Sequence, residues 1–152
     1  MPFQIDDKAL LASIAALPAT IARGAEKGLS AVAPVIEGLM QSSPAHGDMS
    51  GAAHASSFVA PLGGAQNGLA VADAAYQVAA AHLNGFSGPH GKPARIDVPT
   101  LPAGERGLLL GRPIDYGQAL EDEGKAVVEP TLAQTSNLIL QYASDGIKQE
   151  LA

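Results

Sequence analysis

The sequence predicts an α+β domain: a long kinked N-terminal helix, a second alanine-rich helix and a C-terminal helix, packed on a small antiparallel sheet. Two observations carry that prediction. Large apolar residues recur at steps of three and four over three separate stretches, which is the period of a helix face. Between them stand short runs such as "AHASSFVAPL" and "GLLLGRPIDY", bounded by glycine and proline, which suit strands and turns. A chain of 152 residues is about one domain by length. No internal repeat and no linker divides it, so residues 1–152 read as a single domain with an exposed loop excursion at about 84–107.

The elements follow in order. Leu10, Ile14, Leu17, Ile21, Leu29, Val32, Ile36 and Leu39 form one stripe, with Ala25 filling the longest step. Asp6 and Asp7 are placed to cap its start. Pro18 suits either the first turn of a second helix or the interior of a bent one, and Pro34 predicts a kink, since proline removes a helical hydrogen bond. The helix is expected to end near Gln41. Residues 42–51 collect proline, glycines, aspartate and serine and read as a loop. A short strand is expected around 56–60, stopped by Pro61, and "GGAQNG" is a turn. Leu69, Ala72, Tyr76, Ala79 and Leu83 mark the second helix, whose alanines favour close packing. Residues 84–107 are rich in glycine and proline, with only "ARIDV" strand-like. A strand ending near Pro113 follows, and a helical turn fits residues 116–121. Pro130 sits where a helix can begin. Leu132, Ile139, Ala143, Ile147 and Leu151 give the C-terminal helix, weakened late by Gly146.

Composition bounds the function. Hydrophobic residues make up 47% of the chain but aromatics only 4%, so much of the apolar content is alanine, which contributes little burial per residue. Such a core favours partner subunits that hide more apolar surface. The net charge of -6 argues against gripping nucleic acid, which needs clustered Lys and Arg. An acidic surface suits DNA that must slide past without adhering. The absence of cysteine excludes disulfides and thiolate metal sites. The apolar stretch 9–22 follows Asp6 and Asp7 rather than the basic region of a signal peptide. No segment supplies the roughly 20 apolar residues of a membrane span. These features point to a soluble intracellular protein without a membrane partner.

The stretch "PAHGDMSGAAHASS" at 44–57 gathers the residues most suggestive of chemistry. His46, Asp48 and His54 are metal-ligand types, but a zinc site needs further ligands at suitable spacing, and His82 and His90 stand far off. Ser50 in "GDMSG" lacks the spacing of a nucleophile elbow. Asp48 and Ser50 are better suited to accepting the loop's own amides, with Gly47 and Gly51 giving backbone freedom. Neither "GGAQNG" nor "GPHGKP" ends as a phosphate loop does. Glu121, Asp122 and Glu123 are consecutive, unlike a calcium loop. Lys92, Arg95, Arg106 and Arg112 are spaced too widely for a nucleic-acid footprint. No catalytic, cofactor-binding or metal site is expected, and the chain reads as a non-enzyme. The alternative from the residues is a small metal-binding or hydrolytic protein using the His46–His54 loop.

Order and motif add a resemblance. After the long helix, "SSPAHGDMSGAAHASS" resembles the P-x-x-T-G-x-[LM]-x-x-[AS] turn of the tail-completion and minor tail (neck) proteins of long-tailed double-stranded DNA phages and phage-derived particles. Near the end, "DYGQALEDEGKAVVEPTL" resembles their Y-A-x-x-[LV]-E-x-G…P-x-L segment, followed by a C-terminal helix. Pro44, Gly47, Met49 and Ser56 take the turn positions; Tyr116, Leu120, Glu121, Gly124, Pro130 and Leu132 take those of the second motif. His46 stands where a small residue or threonine is usual, and Gly117 where alanine is usual. The resemblance spans about three quarters of the chain and omits the 84–107 excursion. It implies a structural virion component at the head–tail junction, made in the host cytoplasm and serving in tail completion or head–tail joining. It further implies a ring, commonly sixfold, of copies of this chain around the DNA channel. Its neighbours would be adaptor, stopper, terminator or major tail proteins, and DNA would only pass through the lumen. A head-closure (stopper) or tail-terminator ring is the alternative within that class. Free cytoplasmic interaction is a third reading.

Overall fold

The first helix, α1 (Asp7–Gln41), runs for 35 residues, about 52 Å at 1.5 Å per residue. The computed structural model describes residues 7–43, 51–85, 92–115 and 127–152. Pro18 and Pro34 both lie inside this one helix, so Pro18 opens no second one. Both are exposed, and on a solvent-facing side the carbonyl that each proline leaves free can turn to water. Ser42 N–H donates to the Gly38 carbonyl at 3.0 Å and closes the last turn.

A short helix, α2 (Ala52–Ser56), leads directly into the strand β1 (Phe58–Leu62). Gly51 precedes α2 with φ 74°, a left-handed conformation that glycine adopts without steric cost. The expected strand at 56–60 therefore shifts towards the C-terminus, and Ser56 belongs to α2. The reason is local: Ser56 and Ser57 hydroxyls donate to the Ala52 and Ala53 carbonyls, which holds the helical turn. Pro61 lies within β1 rather than stopping it.

Asn67 then caps α3 (Gly68–Leu83), its side chain accepting from Ala70 N–H at 3.0 Å. The strand β2 (Gly107–Gly111) pairs antiparallel with β1, Val59 opposite Leu110 and Pro61 opposite Leu108. The chain ends in α4 (Val128–Leu151), with Pro130 in its first turn as expected. Buried Thr135 returns its hydroxyl to the Thr131 carbonyl, which satisfies a polar group inside the layer. The fold is α+β, three long or medium helices around a two-stranded sheet.

The sheet is covered on both faces. Val59, Leu108 and Leu110 turn to Val32, Ile36, Met40 and Val127 of the α1/α4 layer. Phe58, Ala60 and Leu109 turn to Ala72 and Ala75 of α3, together with Ile96 and Val98. Part of the 84–107 excursion is thus packed: Ile96, Val98 and Leu101 are half-buried, while Arg95, Asp97, Pro99 and Thr100 face solvent. This segment is extended, and among the described residues it forms no ladder with the sheet, only the isolated bridge Pro93–Ile114 past the end of β2. The expected strand at 94–98 does not form a ladder.

Antiparallel α1 and α4 meet backbone to backbone at one end. A Cβ added to Gly28 would fall on the carbonyl of Tyr142, one on Gly24 on the Cα of Ile147, and one on Gly146 on the Gly24 carbonyl. Glycines four apart let two helices approach this closely. The buried face of α1 keeps Leu29, Val32 and Ile36 of the expected stripe. It runs through Ala22, Leu29, Val32, Ala33, Ile36 and Met40, while Ile14, Leu17, Ile21 and Leu39 are exposed. Where the two helix backbones come closest, glycines mark the line of contact.

Candidate functional site

Two surface features stand out, and neither is the loop that the sequence singles out. The first is the N-terminal half of α1. α4 is 24 residues long, about 36 Å; its Ile147 lies against Gly24, and one turn later its end is tied to α1 by an ion pair between Lys27 and Glu150. Leu11, Ile14 and Leu17 beyond that end, and Ile21 beside it, are 64%, 52%, 42% and 43% exposed. Residues 9–22 carry no charge. An apolar helix face without a covering layer marks an interaction site more often than a stray surface residue does.

Glu150 also faces Arg23 at 3.7 Å. The hydrogen bond from Lys27 holds its carboxyl below the ordinary carboxylate range against the smaller opposing effect of burial, and the charges of Lys27 and Arg23 add to the lowering. A carboxyl whose pKa is lower folded than unfolded stabilises the fold above its unfolded pKa. That stabilisation is lost as pH falls through the depressed value. Glu150→Gln should therefore show a shallower fall in melting temperature than wild type between pH ~7 and ~3. The effect is small, as expected of an exposed pair; thermal melts of both proteins across that range check it.

The second feature is a cleft of about 540 Å³ between α3 and the extended segment 95–101. It falls within the size range of small-molecule pockets. Three of its polar side chains are engaged with one another: Arg95 Nη1 donates to Asp73 Oδ1 at 2.7 Å, and the guanidinium lies 4.2 Å over the Tyr76 ring. At the floor of the same turn, Glu26 binds Arg106 Nε at 3.0 Å and Gln66 Nε2 at 3.3 Å. Gln66 also donates to Ser30 Oγ at 2.8 Å. Gly64, at φ 60°, makes room for this network, since a Cβ there would meet the Glu26 carboxylate. These charges fasten the β1–α3 turn to α1 and present no nucleophile–base pair.

The residues raised from sequence are dispersed. Ser56 is 1% exposed and bound to its own helix. Pro130 and Leu132 lie exposed at the start of α4. His54 is exposed on α2, and His82 is exposed with Nδ1 3.0 Å from the Val78 carbonyl. Arg112 is buried at 6% rather than displayed. Pro44, His46, Gly47, Asp48, Met49, Ser50, His90, Tyr116, Leu120, Glu121, Asp122, Glu123 and Gly124 lie outside the described residues. Among the described residues no group of three or more His, Asp or Glu side chains is gathered to hold a metal ion. Nor is any described helix long and apolar enough to cross a membrane. Glu26, Gln66 and Arg106 are a cluster that sequence reasoning misses, because 40 and 80 residues separate the partners of Glu26 from it.

Comparison with protein-family models, with curated proteins and with solved structures finds no match to this chain.

Proposed function

We propose that this chain is a structural component of the head–tail junction of a phage-type particle, acting in tail completion or head–tail joining. The observation that carries the reading is the uncovered half of α1, whose Leu11, Ile14 and Leu17 project beyond the end of α4 and whose Ile21 is bare beside it. In a ring of copies such a projecting helix lies against a neighbouring subunit, or against an adaptor, stopper, terminator or major tail protein. A long N-terminal helix at the start and a C-terminal helix at the end are what the family resemblance implies. The net charge of -6 suits a lumen through which DNA passes without adhering. On this reading the chain performs no chemistry and takes no cofactor; its work is the fit between successive rings.

Deletion of the gene in the strain that produces the particles tests this. Filled heads without tails, accompanied by free tails, are expected under the electron microscope, with joining restored when the gene is supplied in trans. Normally tailed particles in the deletion strain would refute the placement.

A further inference from the structure

The two outer edges of the sheet are treated in opposite ways. Along β1, Val59 N–H donates to Glu37 Oε2 at 3.1 Å and the Ser57 carbonyl accepts from Gln41 Nε2 at 3.0 Å. Residues 57, 59 and 61 therefore turn their backbone groups away from β2, because N–H and C=O directions alternate along a strand. The third of them is Pro61, which has no N–H to offer. Glu37 and Gln41, one helical turn apart on α1, together with Pro61 close this edge.

The register then fixes the other edge. With Val59 facing outward, its opposite residue Leu110 also faces outward, and so does Leu108 opposite Pro61. Among the described residues nothing pairs with the outward backbone groups of Leu108 and Leu110. The extended segment 92–101 bonds its backbone to residues 113 and 115, past the end of β2, and sets Ile96 and Leu101 against the α3 side of Gly111 and Gly107. β2 is half-exposed from Gly107 to Leu110, whereas β1 is buried at every position but Pro61. It carries no charge, no proline and no bulge, the usual devices that keep an open edge from pairing. The protection of one edge and the bareness of the other single out β2 as a pairing surface.

Its sequence selects the occupant. G-L-L-L-G at 107–111 reads the same in both directions. We propose that β2 pairs with β2 of a second copy of this chain, antiparallel about a two-fold axis at Leu109. Leu108 then stands opposite the partner's Leu110, and the outward groups of the two residues face one another, as a hydrogen-bonded antiparallel pair requires. Leu108 and Leu110 both turn to the α1/α4 layer, so their side chains form one apolar surface with those of the second copy. The joined sheet has the order β1-β2-β2-β1, and both its outer edges are the closed ones. Association by this route stops at two copies, as an isologous contact does. The pairing is a property of the free chain and does not rest on the neck reading.

The chain has no cysteine, so a single introduced thiol reports contact between copies. Opposed residues at a non-hydrogen-bonded position have Cα atoms about 4.5 Å apart, within disulfide reach. Leu109→Cys should oxidise to a covalent dimer with a yield at least tenfold above that of Leu132→Cys on α4. Wild type should sediment at twice the 15.3 kDa chain mass. Leu108→Pro removes an outward N–H that β1 does not use, and should be monomeric. Three results would overturn the pairing: a wild type that stays monomeric at ~1 mM, Leu109→Cys that links no better than Leu132→Cys, or a folded Leu108→Pro protein that is still dimeric. If Leu108→Pro fails to fold, the Leu109→Cys comparison decides alone. A larger assembly containing the Leu109→Cys link supports the pairing, and one without it counts against it.

Discussion

Gly28→Ala is expected to lower stability by about 3 kcal/mol, although the change adds one methyl group. The added Cβ would land on the carbonyl of Tyr142, part of the opposing helix backbone. A rotamer change cannot relieve that contact, because neither partner is a movable side chain. The helices must separate, and the ion pair of Lys27 with Glu150 and the packing of Gly24 on Ile147 separate with them. For a chain of this size the loss corresponds to a fall in melting temperature of about 6–12 °C. Gly146→Ala should behave alike, since its Cβ would strike the Gly24 carbonyl. Gly38→Ala on the same α1 is the control with the opposite sign. Nothing lies within 4 Å of a Cβ there, and alanine in a helix interior is favoured over glycine by about 0.5–1 kcal/mol. Circular dichroism melts of the three variants give the comparison directly.

Ile36→Ala should cost about 3–4 kcal/mol by a different route. Ile36 is 0% exposed, and it sits among Val32, Met40, Val59 and Val127 where both long helices meet the sheet. Shortening it removes apolar contact from α1, α4 and β1 at once. The packing of Leu108, Leu110 and Ile139 around the same cluster limits how far the site can close over the cavity. Ile14→Ala, on the exposed part of α1 at 52% exposure, should change stability by no more than about 0.5 kcal/mol. Urea titration should show a lower midpoint for Ile36→Ala with an unchanged slope, the mark of a loss of stability rather than of a changed unfolded state.

These two variants also show where the sequence was legible. The three helices, the turn at 63–67 and the strand before Pro113 follow from periodicity and from glycine and proline placement. The facing of α1 followed at Leu29, Val32 and Ile36 but not at Ile14, Leu17, Ile21 and Leu39, because a stripe drawn through the largest residues gives them the core by default. The true line of contact passes through Gly24 and Gly28, where the value of the residue is its lack of a side chain. Gly146 reads as a weak point in the C-terminal helix, yet it is a point of closest approach. Pro61 reads as the end of a strand; its neighbours' hydrogen bonds to Glu37 and Gln41 make it the outer edge of one. Such roles depend on what lies opposite in space, and a single chain's spacing does not record that.

The uncovered surface has the same origin. Ile14, Leu17 and Ile21 were legible as apolar and helical, but only the contact of Ile147 with Gly24 shows that α4, one turn from its end there, stops short of Ile14 and Leu17. On the proposed reading, another chain of the particle covers the bare half of α1. The bare half of α1 and the open edge of β2 are separate surfaces with separate tests. The first supports the neck reading, and the second describes pairing of the free chain.

The head–tail placement is tested most directly by locating the protein in purified particles. Leu151 at the end of α4 is 51% exposed, so a short tag appended at the C-terminus is accessible to a gold-labelled antibody. Gold confined to the junction between head and tail is the expected result. Gold along the tail shaft or over the capsid, or unlabelled particles from cells that make the tagged protein, would contradict it.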